Sequence, residues 1–307
     1  MNSYKTIIIG SGPAGLTAGI YAARAELQPL ILAGSSYGGQ LILTTEVGNY
    51  PGFEEDILGP ELIARMLKQV KRFGAEVKFD DVTGVDFSVR PFRVKAGEDE
   101  YLAESVIVAT GANAKWLGLP EEKRLIGRGI SSCAPCDAFF FKDKKVVVVG
   151  GGDSAMEEAL VLVKFASEVT VIHRRDQLRA SKIMQRRVQE NKKISFIWDT
   201  VIEEVLGKEV VEGLRLKNIK TGESVRMPID GVFVAIGHTP NTKFLEGSGI
   251  ELDEKGYVKI HDGSRTNIEG VFVAGDVHDH VYRQAITAAG AGCKAAMDAE
   301  RYLMEKD

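Results

Sequence analysis

The feature that most constrains this chain is a motif that occurs twice. The stretches KTIIIGSGPAGLTAGIYAARAELQPLILAG, from Lys5, and KKVVVVGGGDSAMEEALVLVKFASEVTVIHRR, from Lys144, share one order: apolar strand, glycine-rich turn, amphipathic helix, second strand. Each is a βαβ unit of about 30 residues, the context in which a G-x-G-x-x-G turn signifies a dinucleotide site. One such turn alone is a weak signal, and a glycine turn without a ligand is its ordinary rival. Two turns, each leaving a buried strand and opening a helix, make the rival the poorer reading.

The spacing assigns roles within each turn. Gly10 permits a tight reversal, Gly12 lets backbone approach a pyrophosphate, and Gly15 lets helix and strand pack closely, with Ser11, Pro13 and Ala14 between them. The anion would rest on the helix N-terminus, where free N–H groups and the helix dipole favour negative charge. One expectation fails. The second strand should end in an acid that grips a ribose, yet it reads ILAGSSYGG, so something else must hold that sugar. In the second unit Gly150, Gly152 and Ala155 take the same places, with Asp153 and Ser154 between them, and its second strand runs into HRRDQLRASK. Here Arg174, Arg175 and Arg179, following His173, replace the acid with guanidinium donors suited to a 2′-phosphate, which favours NADPH over NADH. Arg186 and Arg187 lie further on and read as the solvated face of a helix.

Composition sets the limits. A chain of 307 residues suits about two domains, and 44% apolar with 27% charged residues fits an ordinary globular protein with ample core. The net charge of −4 argues against nucleic acid or an anionic membrane as partner. The N-terminus runs directly into a strand and glycine turn, unlike a signal peptide, and no apolar run approaches membrane-spanning length, so a cytoplasmic protein is expected. No low-complexity linker is visible, which puts any domain boundary in a short joint.

A second cluster of chemistry is SCAPCDAFFF, from Ser132 to Phe141. Cys133 and Cys136 could form a metal clip, a structural staple or a redox couple. Zinc needs four ligands, and no second pair or spare histidine is at hand. A staple does not suit a reducing compartment with only three cysteines in the chain. A C-x-x-C redox couple remains, with Asp137 able to exchange protons with the thiolates or to serve merely as a turn residue. The third cysteine, Cys293, reads as a small buried hydrophobe on a helix. Three further apolar strands end in glycine: SVIVATGA, GVFVAIGHTPN and GVFVAGDV, which suits buried strands whose carboxyl ends face ligands. Alternating patterns at residues 85–97 and around 201–230 predict antiparallel excursions, and RQAITAAGAGCKAAMDAERYL predicts a closing helix of small residues.

Taken together, the two glycine motifs, CAPCD just ahead of the second, HRRDQLRASK, GHTPN and GVFVAGDVHDHVYRQAITAAGAGC resemble the low-molecular-weight thioredoxin reductases over nearly the whole chain. The resemblance is specific, because the related glutathione reductase group spaces its cysteines C-x-x-x-x-C in the FAD domain. It implies an α/β fold of two Rossmann-like three-layer domains, the second inserted into the first: residues 1–115 and 242–307 for FAD, and 116–241 for NADPH and the cysteine pair. It also implies that Gly34, Ser35, Ser36, Tyr37, Gly38, Gly39, Gln40, Leu41, Asn49, Thr110, Gly111, Gly275, Asp276, Arg283, Gln284 and Ala285 complete the flavin site. The family lacks the ribose acid after its first unit as well. By the same resemblance Cys136 lies nearest the flavin, Cys133 attacks thioredoxin, and the chain forms a homodimer. Because the cysteines then share a domain with the NADPH motif, nicotinamide and disulphide must take turns at the flavin, which predicts a rotation of one domain about joints near residues 113–117 and 239–243. Two departures stand out: Ala138, where the family often has glycine, and the aromatic run Phe139 to Phe141. Rival readings are a flavin-dependent dithiol oxidase, which needs no arginine cluster, a ferredoxin or flavodoxin reductase, which needs no cysteines, and a non-catalytic nucleotide sensor.

Overall fold

The first strand shows how the pattern becomes a fold. In the computed structural model, which describes residues 2–306, β1 (Asn2–Ile9) is buried from Thr6 to Ile9 because TIII enters a sheet covered on both faces. The chain turns into α1 (Pro13–Arg24), which opens on proline in its first turn, and returns as β2 (Leu30–Leu32), parallel to β1. After α2 (Gly59–Arg72) come β3 (Glu76–Lys78), β4 (Val82–Asp86), β5 (Phe92–Ala96) and the long β6 (Asp99–Val108). The sheet order is β3-β2-β1-β6-β5-β4, with β4 and β5 as the antiparallel excursion.

The chain divides after Asn113 and after His238 into two units, the first discontinuous and the second the stretch between. The second unit repeats the logic. Its strands β7 (Ile130–Ser131), β8 (Lys145–Val149), β9 (Glu168–Ile172) and β10 (Ile194–Ile197) carry α3 (Asp153–Leu162) and α4 (Lys182–Gln189) in their connections. An antiparallel sheet follows, β11 (Thr200–Leu206), β12 (Gly213–Asn218) and β13 (Ser224–Pro228), before β14 (Gly231–Val234) rejoins the parallel sheet in the order β7-β14-β8-β9-β10. Back in the first unit, β15 (Val271–Val273) pairs with the last residues of β6, beyond the stretch that β5 occupies. The closing helix α5 (Ala285–Met304) packs on α1 so closely that a methyl at Gly292 would lie 2.0 Å from the Ala14 carbonyl oxygen.

Strand alternation splits each core in two. In the first unit Ile8, Ile31, Ile107 and Phe272 face the helices, while Ile7, Leu30, Leu32, Val106 and Val271 face the antiparallel excursion and loops. In the second, Val146, Val148 and Phe233 meet α3, and Val147, Val232 and Val234 meet the β11–β13 sheet. Each is therefore a three-layer α/β unit, and each fully buried aliphatic side chain contributes about 1.5–3 kcal/mol. One expectation needs correction. Cys293 is half-buried, because it lies one position off the α5 stripe of Gly292, Ala295, Ala296 and Ala299; its thiol rests 3.9 Å from Met297 and hydrogen-bonds Tyr21. Among the described residues no helix is long and apolar enough to cross a membrane.

Candidate active site

The three positions of the first glycine turn are held by three different constraints. Gly10 has φ +112°, and a methyl there would strike the Ala109 carbonyl oxygen at 2.3 Å. At Gly15 a methyl would stand 2.0 Å from the Gly10 oxygen, so the helix approaches its strand only without a side chain. Gly12, the N-cap of α1, has open space around the position of its missing Cβ and no side-chain cap, leaving the first N–H groups of the helix presented outward. That opening is what a pyrophosphate requires. The helix begins with Pro13 and Ala14, and the turn is pinned by Ser11, whose Oγ donates to the Ala33 carbonyl at 2.8 Å and accepts from the Gly38 N–H at 3.1 Å.

The segment after β2 wraps the same turn. Gly34, Gly38 and Gly39 all take positive φ, and Gly39 lies beside the Gly12 Cα. Ser36 and Tyr37 are exposed, Tyr37 standing edge-on to Phe79 at 5.3 Å, and Leu41 packs on the helical core. Asp81, which the sequence reading did not single out, accepts from Ser35 twice, at 2.9 Å from the N–H and 2.7 Å from the hydroxyl, and these bonds hold its carboxyl below the usual range. An acid thus stands at the end of β2 after all, supplied from the residues after β3 where no local spacing rule would find it.

Distant residues converge on this cradle. Asn49 Nδ2 donates to Gln284 Oε1 at 3.2 Å across 235 positions, and Gln284 with Thr287 forms the capping box that starts α5 at Ala285. Gly275 has φ +78° and abuts the Ala14 methyl. Beside it Asp276 is pushed up to about 7, chiefly by burial and then by the neighbouring Asp279, with Arg283 opposing. A half-buried acid of this kind calls for hydroxyl donors, which a ribityl chain has. At the end of β6, Thr110 Oγ1 donates to the Asn241 carbonyl at 2.8 Å, Gly111 takes φ +66°, and Asn113 bonds both Gln40 at 3.0 Å and Asn241 at 3.1 Å. The donor set and the open glycine fit FAD.

The second turn is a looser copy. Gly150 sits under the Ala235 carbonyl and against the Ala155 methyl, so alanine suffices where the first unit needed Gly15. Gly152 again has open space and an uncapped helix, with Ser154 in the first turn of α3. The basic loop is strapped to this turn: Arg179 and Ala180 donate their N–H groups to the Gly151 carbonyl at 2.7 and 3.1 Å, and Asp153 accepts from the Ser181 N–H at 2.8 Å. His173 is buried beneath Gly151 and edge-on to Trp198, its pKa lowered by burial, so its neutral ring supports the turn. Arg174, Arg175 and Arg179 are exposed around an open cleft of about 410 Å³. Lys220, which the sequence reading missed, also lines it and draws off two carboxylates, Asp176 and Asp199, each at 3.0 Å. Three guanidinium groups are thereby left for a phosphate, which fits NADPH. Arg186 bonds Glu190 one turn on and Arg187 is exposed, as a solvated helix face requires.

The cysteines open a single helical turn, Ala134–Asp137, and are joined as a disulphide with Cα atoms 5.3 Å apart. Both Cys136 and Asp137 donate their N–H groups to the Cys133 carbonyl, at 3.2 and 3.1 Å. The Cys133 N–H donates to Ser131 Oγ at 3.0 Å, and the Ala134 N–H donates to the Glu158 carboxylate of α3. Burial pushes the Asp137 carboxyl up, and a hydrogen bond from Ser131 pulls it partly back. Neither Ser131 nor Glu158 was singled out in the sequence. Ala138 has φ −57° and ψ −30°, ordinary helical values, and its methyl is buried, so glycine is not required there. Phe141 is a core residue on Phe233 and beneath Gly231, whereas Phe139 is 68% exposed.

Two dinucleotide cradles served by one redox disulphide define a flavin- and nicotinamide-dependent disulphide oxidoreductase. The family described as pyridine nucleotide-disulphide oxidoreductase matches residues 4–292, and the chain belongs to it. It is 53% identical over 305 residues to the thioredoxin reductase of Mycolicibacterium smegmatis, covering 99% of this chain and 98% of that one. It is 54% identical over 304 residues to the thioredoxin reductase of Rickettsia bellii, covering 97% and 98%. Among solved structures, thioredoxin reductase from Streptococcus pyogenes superposes with a TM-score of 0.94 at 42% identity, covering 99% of both chains.

Proposed function

We propose that this protein reduces the disulphide of thioredoxin or a thioredoxin-like partner at the expense of NADPH. The observation that carries the reading is that the Cys133–Cys136 disulphide shares its unit with a dinucleotide turn followed by an arginine-lined cleft, while a second glycine cradle without such a cleft after its second strand occupies the other unit. In this reading the first unit is the FAD domain, held by the glycine turn, Asn49, Asp276 and Gln284, and the second is the NADPH domain, held by Gly152 and the three arginines. FAD, when bound, supplies the two-electron relay from NADPH to the disulphide. Because nicotinamide site and disulphide belong to one unit, they take turns at the flavin through rotation of that unit about the two connecting segments.

The protein's own residues then do the following. Two electrons and one proton convert the disulphide to a Cys133 thiolate and a Cys136 thiol. The Cys133 thiolate attacks the partner disulphide, forming a mixed disulphide and expelling one partner sulfur, which takes a proton from Asp137. The ionised Asp137 next removes the Cys136 proton. Cys136 attacks Cys133, the internal disulphide reforms, and the second partner sulfur leaves and is protonated by solvent. A homodimer and a cytoplasmic location belong to the same reading.

The test is anaerobic. NADPH should bleach the flavin of the purified protein and yield two titratable thiols, and thioredoxin turnover should vanish in both Cys133→Ser and Cys136→Ser. Turnover surviving in the serine variants, or a flavin that NADPH does not reduce, would overturn the reading.

A further inference from the structure

We propose that Glu158 is a positioning residue of the redox couple whose charge sets its reducing power: from α3 its carboxylate holds the Ala134 N–H, which puts a negative charge one peptide away from the Cys133 sulfur. This rests on reading the pair as the redox couple. The contact has a plain structural part. Ala134 opens the turn, where no carbonyl of the turn itself can accept its N–H, and it is fully buried, so an acceptor must come from elsewhere. A neutral amide would serve that need as well as an acid does. The charge matters only to the sulfur beside it.

The elements that carry the disulphide bring it no positive charge. Residues 131–141 and α3 contain four acids and no lysine, arginine or histidine. Of these acids, Asp153 is turned to the Ser181 N–H at 2.8 Å, Glu157 is exposed, and Asp137 is half-buried on the turn itself, which leaves Glu158 as the one bonded to the peptide that follows Cys133. Cysteines of low pKa stand beside lysine, arginine or a protonated histidine, and here that arrangement is reversed. Reduction takes two electrons and one proton and leaves a Cys133 thiolate beside a Cys136 thiol. A neighbouring carboxylate disfavours that thiolate, which exists only in the reduced state, so the dithiol is destabilised against the disulphide. A pair whose reduced form is stabilised is an oxidant, and one whose reduced form is destabilised is a reductant. The thiolate that does form is also the better nucleophile, because nucleophilicity falls as thiol pKa falls.

The experiment is the dithiol–disulphide equilibrium of the FAD-loaded protein against reduced and oxidised dithiothreitol, set up anaerobically without NADPH or thioredoxin. It is quenched by alkylation and read as the mass of the peptide that carries both cysteines. Because the charge acts on the thiolate, its effect is absent while Cys133 is protonated and complete once it has ionised. Glu158→Gln keeps the hydrogen bond and removes the charge. Against the parent in the same buffer it should change little at about pH 6 and favour the dithiol by about tenfold at about pH 9.5, a potential higher by about 30 mV. Glu158→Ala should shift the same way and serves if the glutamine variant does not take up flavin. Glu157→Gln, one position along the helix and exposed, should shift by less than about twofold. Equal equilibria in parent and Glu158→Gln at both pH values, a shift of the same size at both, or an equal shift in Glu157→Gln would overturn the proposal and leave Glu158 a structural partner of Ala134. A pair that no ratio of dithiothreitol reduces would overturn the redox reading and the role of Glu158 with it.

Discussion

Asp276 offers the sharpest quantitative prediction. Its carboxyl stands at about 7 against an ordinary value of 3.8, chiefly because it is buried, so the folded chain binds a proton there that the unfolded chain has released. Stability contributed by this proton is complete below about pH 3.8 and is lost as pH rises to about 7, above which the fold carries an unfavourable buried charge. A rise of about three pH units corresponds to about 4 kcal/mol at 1.36 kcal/mol per unit. Water reaching a partly exposed carboxylate brings the expected loss to about 2 kcal/mol. Asp276→Asn removes the charge and keeps the shape. In FAD-free protein the variant's advantage over the parent should grow steadily from pH 5 to pH 8 and reach about 2 kcal/mol at pH 8, by urea unfolding followed through a probe in the first unit. Its affinity for FAD, followed by flavin fluorescence, should fall at the same time. Parent and variant running parallel from pH 5 to pH 8 would refute the reasoning, as would a variant that binds FAD unimpaired.

Other consequences are open to measurement. Gly15→Ala sets a methyl 2.0 Å from the Gly10 carbonyl oxygen and should lower stability by about 1–3 kcal/mol with loss of FAD, whereas Gly12→Ala should melt like the parent and lose flavin on gel filtration. Neutralising Arg174 and Arg175 should weaken NADPH by about tenfold or more while changing NADH little, and equal losses would sink the 2′-phosphate assignment. Lys220→Met should free Asp176 and Asp199 to compete for the arginines, weakening 2′,5′-ADP binding in calorimetry by a few-fold at low salt and less at high salt.

What could be read in advance depended on how locally each feature is encoded. The glycine turns, the arginine loop and the cysteine pair are each written within about ten residues, so each was visible as a motif, although which cofactor goes with which turn came only from the family resemblance. The antiparallel excursions were visible as alternation at 85–97 and 201–230 because one face of each meets the core. Asp81 beside Ser35, Asn49 beside Gln284 and Lys220 beside Asp199 are products of chain return over 21 to 235 positions. No window holds both partners, so no local rule finds them. Ser131 is different: it lay two residues from Cys133 and was passed over because an isolated serine carries no signal until burial makes its hydroxyl accountable. Phe139 to Phe141 read as one aromatic run, yet the turn geometry sends Phe141 inward and leaves Phe139 exposed.

The long strand β6 pairs with β5 over its first residues and with β15 over its last, and α5 closes on Ala14 through Gly292. During synthesis this imposes an order. The inserted unit is one uninterrupted stretch and can complete its sheet while later codons are still being read. The first unit must wait with the outer edge of β6 unpaired and its glycine cradle unbacked until β15 and α5 have left the ribosome. Completion of the first glycine cradle thus follows completion of the inserted unit, and a chain released before α5 holds one finished sheet and one unfinished cradle.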